Sequence, residues 1–349
     1  MLTKYLPDRL NYEISRIGIF ALFFALGLTL TLVISACSSN NTANSGSGAA
    51  QTANQSPTTQ GLVVHIGYQK AATILNAMRA QKDLEKAFEK SGVAVKWAEF
   101  PSGPPMLEAI NAGSVDFGYT GESPPIFAQA SGTPLVYVAY DPWSPKAEAI
   151  IVPKNSSIQT LADLKGKRIA VAKGSNANYL LVKAVEKGGV NYSDIKPAFL
   201  QAPDARAAFE GNNIDAWAIW DPYLAAAQAA TGARTLTDGT GLAPNRGYYL
   251  AAKSFADKYP DALKTVLEEV KKRSNWAQNN PVEVAKFLSP ELGIDAGVLE
   301  VAEKRREYGV LPLTDEVIRG QQQIADTFYK IKLIPKPINV SEIVWQGNQ

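Results

Sequence analysis

Apolar and polar positions along the first third of the ordered-looking chain switch between two periods. Residues 63–68 (Val-Val-His-Ile-Gly-Tyr) suit a strand, and Ile74, Leu75, Met78, Leu84 and Phe88 then recur at helical spacing until Gly92. A second strand is predicted over 93–100. Ser102-Gly103-Pro104-Pro105 opens a helix over 106–111 that ends at Gly113, because proline is preorganised for the first helical turn. A third strand starts at Val115, a helix follows Ser123-Pro124 and closes at Gly132, and residues 135–140 form a fourth strand. Strand and helix in alternation predict a parallel sheet covered on both faces.

Asp141-Pro142-Trp143-Ser144-Pro145 breaks this rhythm, and an extended run over 148–152 marks a crossing into a second lobe. There the pattern repeats: a helix over 161–165, a strand over 168–172, a turn at Gly174-Ser175-Asn176 and a helix over 179–186. A helix over 204–209, a strand over 214–220 and a helix over 223–230 come next. Gly239-Thr240-Gly241 marks the return path and Tyr248-Tyr249-Leu250 a second crossing strand; the remainder is helical, with amphipathic segments at 262–278 and 282–288. The expected fold is α/β with two lobes, 61–148 plus 248–349 and 149–247. Each lobe is a mixed, mainly parallel sheet flanked by helices, with a ligand cleft between them.

The two lobes share a device. In Val115 to Phe127, Asp116 opens an apolar strand, Glu122 follows six positions later, and Pro124 sits at a helix start. Asp215, Asp221 and Pro222 repeat the arrangement. Gly121 has no Cβ to keep an incoming group from the backbone, and a helix start carries unpaired N–H groups and a positive dipole end. Two facing turns of this kind predict an anion site between lobes. The turns assigned to it are Ser102-Gly103, Thr120-Gly121-Glu122, Gly174-Ser175-Asn176 and Trp220-Asp221.

The N-terminus reads differently. Lys4, Arg9 and Arg16 precede an uncharged apolar run over 17–34, and Ile34-Ser35-Ala36-Cys37 closes it. This resembles the lipobox of bacterial lipoproteins, so 1–36 is expected to be a signal peptide and Cys37 a lipidated first residue; the alternative is a retained membrane anchor, which the length permits. The uncharged polar stretch from Ser38 to Gln60 is expected to be a flexible tether, giving 37–60 as lipid attachment and linker. Cys37 is the only cysteine, so no internal disulfide is available. A formal net charge of +2 with Lys and Arg scattered among acids points away from nucleic acid. One histidine and one cysteine leave no nucleophile, metal or acid–base constellation, so neither enzyme chemistry nor a metal or cofactor is expected.

Gly67-Tyr68-Gln69-Lys70, Asp116-Phe117-Gly118 with Thr120-Gly121-Glu122, Lys173-Gly174-Ser175-Asn176, Asp204 to Phe209, Trp220-Asp221-Pro222-Tyr223 and Tyr308-Gly309-Val310 carry a specific match. From Gly61 to Trp345 the chain resembles the aliphatic sulfonate-binding proteins of bacterial ABC importers. The resemblance implies a type II periplasmic-binding-protein fold and a monomer that captures alkanesulfonates outside the cytoplasm, in the periplasm or at the outer membrane face. It also implies delivery to a membrane permease with its ATPase. Taurine and nitrate binding proteins, and pyrimidine-precursor enzymes, share the fold and stand as alternatives; Thr120-Gly121-Glu122 and the segment from Arg305-Arg306 to Val310 point to the sulfonate branch. Transcription-regulator effector domains of this fold follow a helix-turn-helix, and here a signal peptide stands in that place.

A sulfonate is a monoanion with three acceptor oxygens, so it needs converging donors and little net positive charge. Thr120, Gly121, Ser175 and Asn176 are read as such donors rather than as plain caps, with Ser102, Gly103 and Gly174 in the same turns. Trp220 either rests on an alkyl tail or joins Trp217 in the core. Glu122 and Asp221 are puzzling beside an anion: each caps a helix or meets an amino or hydroxyl group of the substrate. Gln69 and Lys70 end the first strand within reach of the cleft, and one of Arg305 and Arg306 is expected to be a cationic backstop by its match to the family. His65 is expected to be structural, so binding should be insensitive to pH between about 6 and 8.

Overall fold

The computed structural model describes residues 59–347. The expected signal peptide, Cys37 and the tether up to residue 58 lie outside the described residues. Two five-stranded sheets organise the rest. The first contains β1 (Val63–Tyr68), β2 (Ala94–Glu99), β3 (Phe117–Gly121) and β4 (Leu135–Tyr140); the second contains β5 (Glu148–Val152), β6 (Arg168–Val171), β7 (Lys196–Phe199), β8 (Ala216–Trp220) and β9 (Arg234–Asp238). The last strand, β10 (Gly247–Ala252), returns to the first sheet.

The strand orders, β2-β1-β3-β10-β4 and β7-β6-β8-β5-β9, are the same pattern twice. In each sheet a parallel trio receives one antiparallel strand donated from across the crossing: β10 beside β3, and β5 beside β8. The paired aspartates read from the sequence do the same work in each. Asp116 accepts the backbone N–H of His65 at 2.8 Å, and Asp215 accepts that of Arg168 at 2.7 Å, so each pins the start of the neighbouring strand. His65 Nδ1 lies 3.0 Å from the same Asp116 carboxylate, outside the cleft.

The expected two-lobed α/β fold with mainly parallel sheets is the fold observed. Differences fall at edges and crossings. The expected crossing runs, 148–152 and Tyr248 to Leu250, are the strands β5 and β10 that follow each crossing, each buried and paired on both sides within one sheet, and the connecting segments themselves are 141–147 and 239–246. The sequence reading did not contain β7 or β9. Both are edge strands, short and half exposed, and one carries Pro197, so neither shows the apolar pattern that marks a buried strand. The helix expected at 161–165 is a single 3-10 turn, Leu161–Leu164, held by a capping box between Thr160 and Asp163.

Twelve α-helices cover the sheets among the described residues: α1 (Thr73–Gln81), α2 (Asp83–Phe88), α3 (Gly103–Asn111), α4 (Ser123–Ala130), α5 (Asn176–Lys187), α6 (Ala202–Glu210), α7 (Tyr223–Thr231), α8 (Lys253–Lys258), α9 (Pro260–Asn279), α10 (Pro281–Leu292), α11 (Ala296–Glu303) and α12 (Asp315–Lys330). Val317, Gln321, Ile324, Ala325 and Phe328 form one face of α12, spaced as a helical stripe must be. That stripe reaches both lobes. Phe328 packs edge-on to Phe127 of α4 and to Tyr179 of α5, with ring centroids 4.9 and 5.8 Å apart. The end of α11 likewise bridges the lobes through the two arginines that follow it.

Candidate functional site

A cavity of about 630 Å3, its open mouth included, lies between the carboxyl ends of the strands of the two sheets. One end is made of neutral donors. Gly103 opens α3, and with Pro104 and Pro105 behind it this turn keeps a single free N–H. Thr120 Oγ1 stands where a Cβ on Gly103 would be, only 1.9 Å from that position, so glycine is required for the turn and the strand to meet. Ser175 caps α5, accepting the Asn178 N–H at 3.3 Å, which leaves its own proton to donate. The first-turn N–H groups of Asn176 and Ala177 have no acceptor within that twelve-residue helix.

Asn176 joins the lobes. Its Oδ1 accepts the Ser123 N–H at 3.1 Å, its Nδ2 donates to Asn245 Oδ1 at 2.7 Å, and a Cβ on Gly121 would lie 2.1 Å from its Oδ1. The N-terminus of α4 is therefore occupied by a protein side chain: Ser123 donates to Asn176, and Pro124 and Pro125 have no N–H to offer. The helix starts that leave N–H groups facing the cavity are instead those of α3 and α5.

The opposite end of the cavity is polar and charged. Asp141 is buried, accepting the Gly309 N–H at 3.1 Å and the Tyr249 hydroxyl at 3.3 Å. Burial pushes its carboxyl up to about 7, against the lowering effect of Gly309, Tyr119, Arg306 and Tyr249. Tyr119 lies over Gly247, whose missing Cβ would stand 1.9 Å from the phenol oxygen. Arg306 spans the cleft, donating to Ala71 O at 2.8 Å on one side and to Asp221 O at 2.7 Å on the other. Trp220, at the end of β8, is partly exposed and forms part of the wall, its ring edge-on to Tyr223 at 6.4 Å.

Of the residues read from the sequence, Gln69, Gly103, Thr120, Gly121, Ser175, Asn176, Trp220 and Arg306 line this cavity. Six others do not. Ser102 is buried and donates to Gln201 Oε1 at 2.7 Å, a contact between lobes. Glu122 is fully buried behind the turn, where its two carboxylate oxygens accept the N–H groups of Asn245 and Arg246 at 3.2 and 3.0 Å. Asp221 is also fully buried, accepting the Ala225 N–H at 3.0 Å and facing Arg305 at 3.3 Å, so it caps α7 and pairs with a cation. Arg305 is spent on that carboxylate and on Gln228 at 2.9 Å. Lys70 turns away to the carbonyl of Leu292 at 2.8 Å. Gly174 lies at φ +72° against the Phe127 ring, facing a different groove.

Several wall residues were not read from the sequence: Tyr119, Asp141, Ser144, Asn245, Arg246 and Glu307. Asp141 and Ser144 lie in a segment that reads only as a break, and Asn245 and Arg246 in the return path; nothing local marks them as facing a cleft. Asn245 adopts φ +50°, a conformation Asn tolerates, and this turns its amide towards Asn176 and the Ser144 carbonyl. Among the described residues no group of three or more His, Cys, Asp or Glu side chains could hold a metal ion.

Comparison with known proteins agrees with this architecture. The family model described as NMT1/THI5 like matches residues 87–284, more than half of the chain. An Escherichia coli protein named, provisionally, an aliphatic sulfonates-binding protein is 42% identical over 82% of this chain and 89% of its own. The solved alkanesulfonate-binding protein of Xanthomonas axonopodis pv. citri, bound to MOPS, superposes with a TM-score of 0.79 at 39% identity, covering 82% of this chain and 99% of that one. The periplasmic aliphatic sulphonate binding protein of Escherichia coli superposes with a TM-score of 0.74 at 41% identity, over 81% and 92% of the two chains. On the matched family model and this identity over most of its length, the chain belongs to the NMT1/THI5-like family, among its aliphatic sulfonate-binding proteins.

Proposed function

We propose that this chain is the solute-binding component of a bacterial ABC importer, capturing aliphatic sulfonates outside the cytoplasm and passing them to a membrane permease. The observation that carries the reading is the donor end of the cavity. Gly103 N–H, the Thr120 and Ser175 hydroxyls and the α5 N-terminus converge there from both lobes without a formal charge. A sulfonate spreads one charge over three oxygens, which suits several neutral donors and two helix dipoles. A phosphonate that is partly dianionic near neutral pH would be desolvated with less compensation. Trp220 and Pro142 offer apolar surface to an alkyl tail. The relatives named above are themselves binding proteins for such ligands, which supports the same assignment and a non-enzymatic role.

Titration calorimetry on residues 61–349 across methanesulfonate, butanesulfonate, taurine, sulfate, nitrate and methylphosphonate tests it. Alkanesulfonates are expected to bind well above the other anions; tighter binding of sulfate or nitrate overturns the assignment. The lipid anchor at Cys37 belongs to the same proposal, supported by the basic, apolar and small-residue order of residues 1–37. Cys37→Ser is expected to leave the precursor uncleaved or release the domain from membranes. Unchanged processing and membrane association would remove the anchor.

A further inference from the structure

Behind the cleft lies a second concavity, a groove of about 1090 Å3 with its open mouth included, walled by both segments that connect the lobes and by α12. Trp143, on the first segment, is 54% exposed, a large apolar surface to leave in water. Arg246, at the end of the second segment, lays its guanidinium over that ring, 4.8 Å from the centroid. Arg246 borders both the cleft and the groove, and its guanidinium lies on the groove side, beside Trp143 and Gly320. A Cβ on Gly320 of α12 would stand 3.1 Å from Arg246 Nη1, so glycine there leaves room for the guanidinium edge.

This cation lacks the partners that burial ordinarily demands. Arg246 is only 5% exposed, its Nε is buried without a hydrogen-bond partner, and among the described residues it forms no ion pair. Glu122 senses its charge, yet that carboxylate is directed at backbone N–H groups. Arg319, beside Gly320 on the groove wall, forms no ion pair either. Glu316 is the one acid among the lining residues.

We propose that this groove is a second binding site for a small organic anion with a flat apolar body, its anionic head on Arg246 and Arg319 and its body against the exposed part of the Trp143 ring. A planar carboxylate or a sulfonate matches the guanidinium fork. Because Trp143 and Pro145 come from one connecting segment and residues 239–246 from the other, an occupant bears on the two strands of chain through which the lobes move. Occupancy therefore changes affinity in the cleft, and the cleft ligand changes affinity in the groove by the same factor.

The probe is 2-naphthoate, added to residues 61–349 with the cleft saturated by butanesulfonate and followed by calorimetry and tryptophan fluorescence. One molecule per chain is expected, with quenching that disappears in Trp143→Phe. Arg319→Gln is expected to weaken 2-naphthoate roughly tenfold while leaving butanesulfonate affinity measured alone unchanged, and Arg246→Gln to weaken it at least as much. Neutral 2-naphthol should bind much more weakly. Binding that neither arginine variant alters, equal binding of 2-naphthol, or no binding at millimolar concentration overturns the site. The Trp143 signal and the Arg319 variant locate the probe whatever ligand the cleft prefers, so failure here is separable from failure of the sulfonate assignment.

Discussion

Glu122 shows how one side chain can be misread from its neighbours in sequence. It follows Thr120 and Gly121, both in the cavity wall, yet it is fully buried and binds the backbone of the returning segment. Burial pushes its carboxyl up to about 7, although the Arg246 N–H, the Arg246 charge and the Asn245 N–H all act to lower it. Glu148, also fully buried with neither oxygen hydrogen-bonded, is pushed well up by the same cause and by Glu122 and Asp238 nearby. The sign is set by linkage. The folded state holds both protons to higher pH than the unfolded chain does, so both act to lower stability as pH rises; the Glu122 contribution is lost between the ordinary carboxylate range and about 7 and levels off above it. For Glu122 the loss is on the order of 3 kcal/mol. Urea midpoints measured at intervals from pH 5 to pH 8 should therefore fall in the native protein and fall less in Glu122→Gln; identical slopes would show that Glu122 is not the titrating group. Asp141, also raised to about 7, lines the cavity, so affinity for a simple alkanesulfonate should weaken above neutral pH. The response is therefore not the flat one that a cleft without histidine predicts, because Asp141 titrates there.

At the scale of elements, function depends on how closely turns from different sheets approach. The β3 to α4 turn meets the start of α5 at Gly121 and Asn176, a contact with no space for a methyl group. Gly121→Ala forces the Asn176 amide aside and breaks its bonds to Ser123 and Asn245, worth about 1–3 kcal/mol together. Sulfonate affinity should fall roughly tenfold, with a melting transition that remains cooperative; unaltered affinity would mean that Asn176 need not hold the lobes together. Trp220, at the end of β8, tests the tail side. Trp220→Ala should weaken butanesulfonate more than methanesulfonate, by ~0.8 kcal/mol for each methylene that loses its contact. Equal losses on calorimetry would place the tail elsewhere.

The whole molecule is organised by its two crossings. Direct bonds join the lobes across the cleft: Ser102 to Gln201, Ser123 to Asn176, and Arg306 to Ala71 and Asp221. Donors that converge on one anion from both lobes give the ligand a larger affinity for this joined arrangement than for an open one. With the lobes taken as 61–148 plus 248–349 and 149–247, hinge motion about 141–147 and 239–246 is the expected response. X-ray scattering from residues 61–349 should show a smaller radius of gyration on adding butanesulfonate. Binding confirmed by calorimetry without compaction would mean that ligand does not drive closure.

The sequence by itself determined whatever rests on local periodicity and turn chemistry. Alternating strands and helices, the break at Asp141-Pro142, and the twin turns after Asp116 and Asp215 specified the two sheets and which strand ends face each other. Gly103, Thr120, Gly121, Ser175, Asn176 and Trp220 line the cavity because they sit at those strand ends and helix starts, positions that short-range rules locate. Edge strands β7 and β9 were illegible because half-exposed strands carry little apolar pattern. Only the tertiary structure decided how contacts distant in sequence divide the polar groups between wall and interior. Asn176 takes the free N–H of α4, Asp221 takes Arg305, and Glu122 takes the N–H groups of residues 123 and 124 positions further on. A buried polar group must find a partner wherever the fold supplies one. Whether a donor is left for a ligand is therefore settled by the packing of both lobes, which no single turn encodes.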